Sequence, residues 1–151
     1  MQQIKHLLMT ALWGDAFITR TVFADTHLTD IRTHAGQVRQ VSEDIGRLLN
    51  AKQPDAKGIR DGIAAMGVNI ETLQQLVVNI TEEKPEFMVR DEKDWDSLKT
   101  QIQLLGIFHN TKDELMKADD MKTNRSLLRA HAKGLAIRSA MLQKTATRLQ
   151  R

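Results

Sequence analysis

The chain of 151 residues contains no cysteine and no tyrosine, only two prolines, and aromatics at 4%. Without cysteine there is no disulfide framework, no thiolate zinc site, no thiol nucleophile and no covalent c-type haem attachment. With so few aromatics the core falls to Leu, Ile, Val, Met and Ala, a composition that suits helix packing better than a β-sandwich. Pro54 and Pro85 are the only strong helix breakers, so long helices are expected. No run of 18 apolar residues exists, and no full transmembrane helix is indicated.

The remaining composition is that of a globular domain, with 41% hydrophobic and 27% charged residues. A chain of this size buries roughly two-thirds of its unfolded surface and needs no staples. Its 22 Lys+Arg against 19 Asp+Glu give +3, with a pI near 9.3. Spread over the whole chain as alternating charges, with no run of four basic residues and no aromatic among them, this balance makes nucleic acid an unlikely partner.

The first 24 residues admit two readings. Lys5, the apolar stretch Leu7 to Trp13 and the small-residue ending Val22-Phe23-Ala24 have the layout of a secretory signal peptide, with Asp25 first in the mature chain. Gly14, Asp15 and Arg20 break that layout, because an acid in the apolar stretch partitions poorly into lipid. The rival is an extra amphipathic helix docking Ile4, Leu7, Leu8, Trp13 and Phe17. The first reading places the protein in the periplasm, the second in the cytoplasm. The domain organisation is therefore 1–24 as signal peptide or extra helix, then 25–151 as the folded domain.

Four helical patterns follow. Leu28, Ile31, Ala35, Val38, Val41, Ile45 and Leu48 recur at three- and four-residue steps, with Asp25 or Thr26 as cap. Ile59, Ile63, Met66, Ile70, Leu73, Val77 and Ile80 form an unbroken a/d seam over three heptads, the clearest signal in the chain. Residues 84–93 read as a polar connection. The third helix begins near Asp91 or Asp94 and carries Trp95, Leu98, Ile102, Leu105, Phe108 or His109, and Leu115 or Met116; Asp119-Asp120 mark the next turn. The fourth carries Leu128, Leu135, Leu142 and Leu149 at spacings of seven. Between them lie His131 or Ala132, Arg138 or Ser139, and Thr145 or Ala146. Short loops fold each helix pair back antiparallel, and the expected fold is an all-α antiparallel four-helix bundle.

The sequence contains no P-loop, no G-x-G-x-x-G, no H-E-x-x-H, no EF-hand loop, no G-x-S-x-G and no di-iron Glu-x-x-His pair. Its acidic pairs, Glu82-Glu83 and Asp119-Asp120, and the cluster Asp91, Glu92, Asp94, Asp96 sit at helix ends, where acids cap or meet solvent. His27 and His34 share a face, but two turns put them about 10 Å apart, too far for one metal ion.

The other two histidines are better placed. About a turn centred near residue 120, His109 and His131 lie at equal distances, as do Gly106 and Gly134. Gly67, beside Met66, reaches the same level from the turn near residue 53. Each mid-helix glycine costs about 1 kcal/mol against alanine. Three at one height point either to close helix packing, with both histidines at the core edge bonded to neighbours, or to a mid-bundle cavity lined by Met66, Gly67, Gly106, His109, His131 and Gly134. There, imidazoles would ligate haem or a transition metal.

No catalytic grouping emerges. The leading expectation is a non-enzymatic periplasmic accessory or sensory module that binds a protein partner or small ligand. Its partner surface, for a foreign helix or a homodimer, would be the apolar face of Leu76 and Val78. The alternatives are a haem or metal carrier using His109 and His131, and a cytosolic phage- or plasmid-type regulator of a protein or nucleic acid.

Overall fold

The computed structural model describes the backbone of residues 12–110 and 121–150, and side chains over 25–110 and 125–150. The described residues are all-α, in five helices: α1 (Leu12–Asn50), α2 (Ala56–Glu83), α3 (Phe87–Arg90), α4 (Glu92–Asn110) and α5 (Met121–Leu149). None is long and apolar enough to cross a membrane. The expectation for 1–24 lies partly outside the described residues, since 1–11 are not described and 12–24 form the opening turns of α1. Asp25 and Thr26 are not a helix start. The α-helix runs through both, and the Thr29 hydroxyl donates to the Asp25 carbonyl at 3.1 Å in the i−4 pattern of a helix interior.

The breaks between helices follow from local chemistry. Ala51 to Gln53 leave the helix just ahead of Pro54, whose ring disfavours the α conformation in the residue before it. Asp55 then caps α2 by accepting from the Gly58 N–H at 3.0 Å. At the other end Lys84 takes the left-handed conformation, φ 52°, and its N–H reaches the Ile80 carbonyl. The connection expected to be polar carries a helical turn, α3. Its Phe87 is buried edge-on to Trp95, with ring centroids 5.7 Å apart. A single aromatic in a polar stretch has no period to betray it. The turn at Asp119-Asp120 and the expected core positions Leu115 and Met116 lie outside the described residues.

The four long helices close into a ring, α1 against α2 and α5, and α4 against the same two. Each neighbouring pair runs antiparallel. His27 meets Glu83 while Ser42 meets Met66. Asp94 meets Arg148 while Phe108 meets Arg138. Gln150 reaches back to Asp25 at the start of the described α1 side chains.

The core matches the apolar periodicity except for one-residue shifts on α1 and α2. On α1 the buried set is Leu28, Ile31, Ala35, Val38, Ser42, Ile45 and Leu49, with Val41 and Leu48 half-buried on its edge. A serine holds this core position because its hydroxyl donates to the Val38 carbonyl at 2.6 Å and faces the Met66 sulfur at 3.1 Å. On α2, Leu76 is buried and Val77 only partly so. The apolar partner face expected at Leu76 and Val78 is therefore halved; Val78 alone is exposed. On α5 the seam takes Ala132, Ser139, Thr145 and Ala146. Ser139 and Thr145 return their protons to the carbonyls of Leu135 and Met141.

Candidate functional site

The residues expected to line one cavity are only partly together. Gly67 and His109 do meet. An added Cβ at Gly67 would lie 2.9 Å from the His109 Nε2, so the imidazole fills the notch that the glycine leaves in α2. His109 is buried, 5% exposed. Gly106 faces Gln74 instead, whose Nε2 lies 2.7 Å from the corresponding Cβ position. Met66 turns its sulfur to Ser42 on α1. Gly134 has nothing within 4 Å of where a Cβ would stand and opens outward.

His131 is half-buried on α5. The contacts Asp94–Arg148 and Phe108–Arg138 centre the α4–α5 hairpin on residues 121 and 123, beyond the expected 120. This puts His109 level with residues 133 to 137, about half a turn to one and a half turns past His131. Glycines that would make room for haem are thus occupied by neighbouring side chains, or face solvent. Among the described residues no three of His, Cys, Asp and Glu converge on a metal position. His27 and His34 each bond to α2. His27 Nε2 donates to the Glu83 carboxylate at 3.0 Å, and His34 Nδ1 to the Asn69 side-chain Oδ1 at 2.8 Å.

A different face carries a distinctive chemistry. Charge in this chain is segregated, not alternating. All 19 acidic residues precede residue 121, while eight of the 22 basic ones follow it: Lys122, Arg125, Arg129, Lys133, Arg138, Lys144, Arg148 and Arg151. Residues 1–120 therefore hold fourteen basic residues against 19 acidic, and α5 has no carboxylate of its own. The modest overall +3 is the difference between two opposite regions. Counting acids in the last thirty-one residues would have found this signal in the sequence.

The α1–α5 seam concentrates that charge. Towards the C-terminal end of α5 an open groove of about 520 Å³ is lined by Arg32 and Arg39 from α1 and by Ala140, Gln143, Lys144, Thr147 and Arg148 from α5. Further along the same seam a second groove of about 440 Å³ is lined by Glu43, Gly46, Arg47 and Asn50 from α1. Across it stand Arg129, Ala132, Lys133, Ala136 and Ile137 from α5, with Ser42 at its base. Gln143 bridges the two helices within the first groove. Gln143 lies across Gly36, 2.8 Å from its would-be Cβ, and donates to the Arg32 carbonyl at 3.1 Å.

Some of these cations are answered within the chain. Arg39 pairs with Glu43 at 3.2 Å, Arg47 with Asp44, and Arg148 with Asp94 at 3.2 Å. All three pairs are exposed, worth little, and exchange readily for another anion. Arg129, Lys133 and Lys144 pair with no carboxylate among the described residues. On the opposite edge of α5, Arg138 stacks over the Phe108 ring at 4.1 Å and ties the helix to α4. No protein-family model, curated protein or solved structure matches the chain.

Proposed function

We propose that the four long helices make an antiparallel four-helix bundle serving as a non-enzymatic binding module. Its α1–α5 face recognises an acidic protein partner. The observation that carries this reading is the sign of α5: a helix of 29 residues with basic side chains along its length and no carboxylate. An isolated helix gains from mixed i,i+4 pairs. One that forgoes them and stays basic repels itself, and an external anion relieves that repulsion. The grooves beside it gather Arg32, Arg39 and Lys144 at one end, and Arg129 and Lys133 at the other. Aromatic platforms, on which single-stranded nucleic acid stacks, line neither groove.

Fluorescence anisotropy with labelled poly-L-glutamate tests this reading. Binding is expected at low salt and should weaken steeply as salt rises, because exposed charges are screened within about 10 Å at 0.1 M. Poly-L-lysine should not bind. Equal or absent binding of the two polymers would refute the acidic-partner reading.

A further inference from the structure

The α1–α5 groove has a shape as well as a charge. Its floor is built from the smallest side chains: Gly46 on α1, and Ala132, Ala136 and Ala140 along one ridge of α5 at intervals of four. Nothing stands within 4 Å of a Cβ built on Gly46. A mid-helix glycine costs about 1 kcal/mol against alanine, and here no neighbour among the described residues requires it. Ile137, 52% exposed, flanks the floor, and Met141, 51% exposed, follows one turn on. Small side chains let a third helix axis come within the 8–10 Å of ordinary helix packing. The two grooves lie in line alongside α5 from Arg129 to Arg148, which at 1.5 Å per residue is about 30 Å together.

We propose that this groove is the docking site for one amphipathic helix of the acidic partner. The helix places a stripe of Leu- or Ala-sized residues on the floor and Asp or Glu along both flanks. The proposal rests on the acidic-partner reading and adds the conformation of the bound segment. Helix-in-groove docking reads apolar positions at three- and four-residue spacing. The basic rim supplies steering and direction. A symmetric dimer through this face is disfavoured as occupant, because two α5 helices would bring cations against cations. A nucleic-acid duplex would meet the rim but leave the apolar floor and Ile137 unfilled.

The test uses the full chain and two labelled synthetic peptides of about 20 residues, matching the groove length. One carries Leu and Ala on a 3-4 stripe between flanks of Glu; the other has the same composition shuffled to spread the apolar residues around the helix. The ordered peptide should bind about tenfold more tightly than the shuffled one. Gly46→Leu, which keeps α1 helical and fills the floor, should remove that advantage and leave the shuffled peptide unaffected. Ala136→Leu should do the same from the α5 side, and far-UV circular dichroism confirms that both variants fold. Equal affinity for the two peptides overturns the helix-in-groove proposal and leaves the acidic-partner reading standing. Failure of both peptides to bind better than a neutral one removes both. Tighter binding of a DNA duplex of about 20 base pairs, or a dimer that Gly46→Leu dissociates in sedimentation, also overturns the proposal.

Discussion

Where α2 meets α4 the helix glycines Gly67 and Gly106 are closed by neighbours, whereas on α1 and α5 two of the three described glycines are open. At Gly67 the missing side chain is replaced by the His109 imidazole, and at Gly106 by Gln74. At Gly46 and Gly134 the missing side chain is replaced by nothing. A glycine in a helix is thus two different statements. On α2 and α4 it is a socket for a neighbour, and its cost is recovered by the packing it allows. On α1 Gly36 is filled in the same way by Gln143, but at Gly46 on α1 and Gly134 on α5 no described neighbour recovers the cost. The two sides also differ in charge, since acids such as Glu83, Asp94 and Asp96 have basic neighbours in His27, Arg148 and Lys99, while Arg129, Lys133 and Lys144 have none among the described residues.

The largest effect should come from the closed side. Ile70 sits in the core on α2, 3% exposed. Ile70→Asp would bury an unpaired charge at a cost of several kcal/mol, comparable with the whole stability of a domain this size. Its far-UV circular dichroism should show loss of helix, and a variant as helical as the parent would show that the α2 seam is wrongly assigned.

Next comes the open side. Reversing Arg129, Lys133 and Lys144 together to Glu removes three cations that have no carboxylate partner among the described residues, so folding should be nearly unchanged. Binding of poly-L-glutamate should fall at least about tenfold, as expected for charges that supply most of the attraction to a partner. Unaltered affinity would move the binding face elsewhere.

The glycine contrast gives opposite signs for one substitution. Gly134→Ala should stabilise by about 1 kcal/mol, the propensity difference, with no contact to offset it. Gly67→Ala must push the buried His109 ring aside from 2.9 Å and should destabilise by about 1 kcal/mol, within the range for overpacking. In thermal denaturation that is a few degrees up for one and down for the other. Two shifts of the same sign would erase the distinction between socket and open notch. The smallest effect is expected for Arg148→Ala, because its pair with Asp94 is well exposed; a loss of no more than about 0.5 kcal/mol should appear in denaturant midpoints.

How legible this was in the sequence varied with the physics involved. The helices of the core were readable because apolar residues at 3-4 spacing have one economical explanation. The α1 register slipped by one residue because Ser42, a polar residue in the core, satisfies its hydroxyl within its own helix. No period reveals that. Helix α3 was hidden because it buries a single aromatic, Phe87. The meeting of Gly67 and His109 could be reached by counting outward from turns, whereas the wider cavity could not. Counting gives height but not which side chain turns towards which neighbour: Gly106 faces Gln74, and Met66 faces Ser42. The basic face was in the sequence all along, concealed by averaging +3 over a chain whose two parts differ in sign. The groove was not in the sequence, because it depends on α1 and α5 being neighbours.

The central claim is that the α1–α5 face, and not the His109 region, is where this protein meets its partner. Mapping amide chemical shifts of the full chain during addition of poly-L-glutamate tests it most directly. The account predicts perturbations concentrated at Arg32 to Asn50 of α1 and Arg129 to Arg148 of α5, with Gly67 and His109 still. Perturbations centred on α2 and α4 around His109, with the α1–α5 groove silent, would contradict it.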